Sequence, residues 1–219
     1  EESIEVCRAM TLLSNSIVSL HLISGFSDKH RYIVQRNDFE GNLIWRKVYG
    51  EDGFDYLNGD MLAINETEFV LVVSKKNIET QINKPLMVKI NESGDIIWQK
   101  TYSHGEVSDI PKKLIQSQDK GFLISGFTQN TEDGQEDTYD AYLVKTDSLG
   151  NMEWQQNYGV LNPEGSDHAL QTADGGYLVL GERLGSGIRQ DVWLFKIDSL
   201  GNFMWQKVHN NPYLQDLHS

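Results

Sequence analysis

Four short segments of this chain gather carboxylates and imidazoles: Glu51, Asp52 and Asp55; His104, Glu106 and Asp109; Glu164, Asp167 and His168; and Asp216 with His218. Converging from separate segments, such groups can hydrogen-bond a polar ligand or ligate a metal. Two carboxylates flanking a glycosidic bond can instead serve as acid and base or nucleophile. Asp55, Asp109, Asp167 and His168 form the candidate contact set. The competing reading is architectural, since these aspartates recur at a nearly constant distance behind a tryptophan. One aspartate per segment would then accept backbone amides and hold its loop in shape.

A second acidic group lies in the insertion Thr128–Asp140, which carries Glu132, Asp133, Asp137 and Asp140. Clustered carboxylate oxygens are what Ca2+ takes. The spacing is not that of an EF-hand, and charge clusters in insertions are commonly solvated, so no metal is assigned and Ca2+ is the one cofactor left open. No phosphate-binding loop, His-Glu-x-x-His pair, nucleophile elbow or cysteine pair is present. Cys7, the single cysteine, has no internal disulfide partner and is expected to pack as a small apolar group.

The elements that must position these residues are repeats. Gly41, Gly94, Gly150 and Gly201 are each followed four residues later by Trp45, Trp98, Trp154 and Trp205. Three residues before each glycine stands Asp38, Asn91, Asp147 or Asp198, and two further back a cation, Arg36, Lys89, Lys145 or Lys196. A period of roughly 53 residues with several short strands per unit points to propeller blades. Asp-Ser-Leu-Gly-Asn beginning at Asp198 supplies turn chemistry, an aspartate that bonds amides ahead of it and a glycine free to take positive φ. Val192 to Phe195 is apolar on both faces, as a strand between two neighbouring blades should be. The tryptophans are expected at equivalent outer positions, filling the gap between blades.

The predicted fold is therefore all-β, a β-propeller of four-stranded antiparallel blades. The blades are placed at about 1–50, 51–103, 104–159 and 160–210, with 211–219 a closing strand or the start of a fifth. The units form either a small closed ring or an arc of a larger propeller. An open arc leaves apolar blade faces bare and predicts self-association.

At 219 residues and 39% hydrophobic content the chain supports one such domain. Its net charge of −13 argues against nucleic acid, whose phosphates demand a basic face. No apolar run approaches the roughly 18 residues of a membrane helix.

"DGGYLVLGE" together with "DVWLFKIDSLGNFMWQK" resembles the secreted propeller repeats of Bacteroidetes and some archaeal surface proteins. The resemblance spans essentially the whole chain and implies a secreted or cell-surface location. More distantly, glycine with tryptophan four residues on is similar to the tryptophan-docking motif of quinoprotein propellers. That motif has aspartate four residues before the glycine where this chain has three, and no quinone and calcium site can be placed. The functional expectation is a non-catalytic extracellular or cell-surface binding scaffold for a protein or glycan ligand. The alternative is a channel-mouth enzyme acting on glycans with carboxylates from different blades.

Overall fold

The computed structural model describes residues 4–24, 30–130, 138–159, 164–184 and 190–209. They form sixteen strands and no helix. The first sheet holds β1 (Ile4–Leu12), β2 (Ser16–Ser24), β3 (His30–Asp38) and β4 (Leu43–Tyr49). The second holds β5 (Phe54–Ala63), β6 (Glu68–Asn77), β7 (Asn83–Asn91) and β8 (Ile96–Thr101). The third holds β9 (Asp109–Gln116), β10 (Phe122–Asn130), β11 (Thr138–Thr146) and β12 (Met152–Tyr158). The fourth holds β13 (Glu164–Gln171), β14 (Tyr177–Leu184), β15 (Gln190–Ile197) and β16 (Phe203–His209). Each sheet is a four-stranded meander in chain order, the predicted blade. The chain divides into two compact units, Glu1–Gln116 and Ser117–Ser219.

The turn between the last two strands of each sheet is made as its residues dictate. Asp198 Oδ1 accepts the amides of Leu200 and Asn202, at 2.9 and 2.8 Å, and Gly201 takes φ +83°. Asp147 does the same for Leu149 and Asn151, and Asn91 for Ser93 and Asp95. The cation two residues upstream ties this turn's strand to the hairpin at the head of its own sheet. Lys145 Nζ donates to Asp119 at 2.7 Å, Lys196 Nζ to Thr172 and Asp174, Lys89 pairs with Glu68, and Arg36 Nε donates to Ser16 Oγ.

Within the first unit, Val18, Leu20, Leu22, Tyr32 and Val34 of the first sheet share one buried cluster with Phe69, Leu71, Val73, Leu86, Val88 and Ile90 of the second. Each such side chain contributes about 1.5–3 kcal/mol on removal from water. At the outer edge, Trp45 Nε1 donates to Glu92 O at 2.8 Å and Tyr49 Oη to Gly94 O at 2.6 Å. The second unit repeats the device: Trp154 Nε1 donates to Ser199 O at 3.2 Å and Tyr158 Oη to Gly201 O at 2.6 Å. The turn glycine admits the indole, because a Cβ on Gly94 or Gly201 would stand 3.0 or 3.2 Å from the ring. Trp193, off the repeated set, fills the interior and bonds Gln206, as Tyr142 bonds Gln155 one repeat earlier.

Two expectations need correction. Cys7 is exposed, because it falls on β1 beside a bulge at Arg8 and on a sheet face that no other described strand covers. Val192 is also exposed, at 48%, although Trp193 and Phe195 beside it are buried. Its third-sheet counterparts, Ala141 to Val144, are buried on both faces. The fourth sheet is thus covered on one face only among the described residues.

Candidate functional site

Among the described residues, a concave site belongs to the first unit, at the end where junction loops enter. Antiparallel pairing brings the start of β5, the end of β6, the start of β7 and the end of β8 to that one end. Phe54, Lys75, Asn77, Thr80, Lys84, Thr101, Ser103 and Glu106 line a cavity of about 310 Å³. Lys75 Nζ sits 4.0 Å above the Phe54 ring centre and pairs with Glu51 at 2.9 Å. Lys84 Nζ donates to the carbonyls of Gly105 and Val107, both at 2.6 Å, and lies 3.5 Å from Asp109. Asp109, fully buried, accepts the His104 amide at 3.0 Å. Ser103 Oγ closes the loop onto Gly105 O. The 103–108 loop is therefore held before any ligand arrives, with the Phe54 ring, hydroxyls, an amide and the exposed Glu106 around an open space.

Asp109 thus supports the loop from beneath. Asp55 is half-buried in β5, opposite Lys76. Asp167 is half-buried at the bulge in β13 between Ser166 and His168, the position that Arg8 occupies in β1, and His168 is exposed. The three aspartates are therefore not structurally equivalent. Asp55 and Asp109 belong to the first unit, Asp167 and His168 to the second. Asp52 pairs with Arg31 at 2.8 Å. Among the metal candidates, Asp140 is half-buried in β11; Glu132, Asp133 and Asp137 lie outside the described residues, as do Asp216 and His218. Among the described residues, no group of three or more His, Cys, Asp or Glu is arranged to hold a metal ion.

Phe54, Lys75, Thr80 and Lys84 escape the sequence reading. Their signal is divergence rather than recurrence, for they lie in the repeat that departs most from the others.

Among the described residues, carboxylates with displaced pKa values are displaced downward by donors. Asp198 and Asp38 are held down by Asn202 and Asn42, Glu68 by Lys89 and Asp95 by Lys47. Asp174 is pushed down to about 2 by the Thr172 hydroxyl and Lys196. Burial lowers the Lys145 ammonium pKa, and its bonds to Asp119 and Glu153 outweigh that and raise it.

A separate polar chain crosses the first sheet on the face turned away from the second. Ser19 Oγ lies 2.7 Å from His21 Nε2, and His21 Nδ1 3.1 Å from Glu5. Glu5 pairs with Arg46 at 2.7 Å, Arg46 bonds Gln35, and Gln35 bonds Asn37. Burial lowers the His21 pKa, Glu5 opposes that, and Arg46 adds to it. The serine–histidine–carboxylate order is that of a nucleophile relay. A relay also needs donors aimed at a developing oxyanion, and the neighbouring donors, Arg46 and Gln35, are spent on Glu5, Gln35 and Asn37. The network polarises a sheet face.

Four four-stranded antiparallel blades define a protein of propeller type. Two solved structures share that architecture: the subtype N10 neuraminidase-like protein of A/little yellow-shouldered bat/Guatemala, at TM-score 0.54 and 7% identity, and xylan beta-1,4-xylosidase from Bacillus halodurans C-125, at TM-score 0.51 and 11% identity. Each match covers 94% of this chain, but only 59% of the first protein and 41% of the second. No family model matches the chain. No curated protein matches it either.

Proposed function

We propose that the chain is a non-catalytic binding scaffold of the secreted or cell-surface repeat type, whose cavity between Phe54 and Glu106 takes a small polyhydroxylated ligand, the end of a glycan. The observation that carries this is the cavity's make-up: an aromatic ring, hydroxyls and an amide for hydrogen bonds, and one exposed carboxylate on a pre-held loop. The carbohydrate chemistry of the xylosidase belongs to that protein and is a reason to begin the ligand search with glycans. Asp55 stands on the same strand as Phe54; Asp167 and His168 are the second-unit positions to mutate next.

Thermal shift against a panel of mono- and oligosaccharides tests the reading, because a ligand of the folded state raises Tm. At least one sugar should do so, and Glu106→Gln should abolish the shift without lowering the unliganded Tm; Phe54→Ala should abolish it too, read against its own lower unliganded Tm because Phe54 packs on the core. A panel without effect, or a shift that survives both changes, rejects the cavity. Release of reducing sugar from a glycan would favour the alternative, an enzyme. Ca2+ belongs in the same screen because of the acidic insertion.

A further inference from the structure

The repeat allows equivalent sheet faces to be compared residue by residue. Arg36 pairs with Val18, and Lys196, its equivalent, with Leu178. Val18, Leu20, Tyr32 and Val34 thus correspond to Leu178, Leu180, Val192 and Leu194. In the first sheet these residues are buried in the cluster shared with the second sheet. In the fourth sheet Leu180 is 41% exposed and Val192 48%, and Leu170 beside them on β13 is 54% exposed. Trp205, the equivalent of the docked Trp45 and Trp154, is 41% exposed on the same face, opposite Lys196. This face is built for burial and, among the described residues, left bare, and an apolar patch of that kind marks an interaction surface.

From this we infer that the bare face of the fourth sheet is a homodimer interface, closed by the same face of a second copy about a two-fold axis. The occupant follows from what a second copy can offer. Its first sheet presents Ser19, His21, Gln35 and Asn37, with Glu5 and Arg46, where the second sheet presents Leu71, Val73, Val88 and Ile90. Met10 and Leu12 fringe that face, yet packing leucines on its centre would strip water from an ion-paired network. The fourth sheet meets no such penalty against itself, and an isologous contact needs only that one patch be self-complementary. Trp205 supplies the large, rigid anchor on which such interfaces concentrate their affinity. The net charge of −13 opposes association, but this face carries both signs, Glu182 on β14 and Lys207 on β16.

Sedimentation velocity of the 219-residue chain across a concentration series tests the inference. The expected result is a monomer–dimer equilibrium with no larger species. Leu180→Lys and Val192→Lys, both at exposed positions, should each weaken dimerisation at least about tenfold, with thermal melts showing that the variants stay folded. Gln35→Glu, on the first sheet, should leave the dimer unchanged. A monomer at every concentration overturns the inference. So does a dimer that survives both lysine changes, or a ladder of larger species that Gln35→Glu disrupts, since that ladder would be head-to-tail.

Discussion

Two sets of aspartates recur along this chain, and the structure treats them differently. The hairpin-turn set, Asp38, Asp147 and Asp198 with Asn91 in their place once, stands in one register and makes one set of bonds: the side-chain oxygen accepts the amide four residues on each time. The junction set, Asp55, Asp109 and Asp167, recurs only loosely. Asp109 is buried under its loop, Asp55 lies in a strand register, and Asp167 sits at a bulge. Strict recurrence reports a shared bonding geometry; loose recurrence reports that several local solutions share a residue type.

The largest effect that sharpens this contrast is expected at Asp109. Asp109→Ala leaves the His104 amide and the Lys84 ammonium without the carboxylate they face. Breaking a buried charge pair of this kind should destabilise the first unit by about 3 kcal/mol, measured by urea denaturation. A loss within experimental error would mean that the 103–108 loop is held by Lys84 and its carbonyls alone.

A smaller effect separates two of the turns that the strict set builds. Gly41 and Gly94 both hold positive φ, at +88° and +78°, so alanine at either should cost about 1 kcal/mol from the left-handed backbone. Beyond that they differ: a Cβ on Gly41 meets nothing within 4 Å, whereas on Gly94 it meets the Trp45 ring at 3.0 Å. Gly94→Ala should therefore be the worse by about 1 kcal/mol and should red-shift tryptophan fluorescence, which Gly41→Ala should not. Equal losses would show that indole docking adds nothing to the turn.

The blade, its four strands and the docking tryptophans were legible in the sequence because each rests on local chemistry repeated in register: a turn aspartate, a positive-φ glycine, an indole four residues later. The bare face of the fourth sheet was not legible. Val192 reads as a sandwiched strand residue, and only its neighbours in space decide whether it is covered. The cavity was half legible. Glu106 and Asp109 stood in the carboxylate set, whereas Phe54, Lys75 and Lys84 come together through strand pairing across the second sheet, which no sequence spacing encodes.

The smallest effect separates charge from geometry within the turn. Asp198→Asn should keep the turn, because Asn91 already makes the same amide bonds in the second sheet. At pH 7 the variant should melt slightly below the parent, because it lacks the ionised oxygen that those hydrogen bonds favour. The difference should shrink at low pH. Hydrogen bonds from Asn202 and Leu200 hold the Asp198 pKa below its ordinary 3.8, so its ionised form is favoured by folding. That contribution is fully present above pH 3.8 and is lost as pH falls through the folded-state value. The parent should therefore lose more Tm than Asp198→Asn between pH 5 and pH 2, and the two curves should converge in acid. The other depressed carboxylates, Asp174 among them at about 2, remain in both proteins and give a common acid transition, so the comparison isolates one charge. If the asparagine variant is instead clearly less stable at pH 7 and stays so in acid, the turn depends on the second oxygen, Asp198 Oδ2 on the Asn202 amide group, and the charge is incidental.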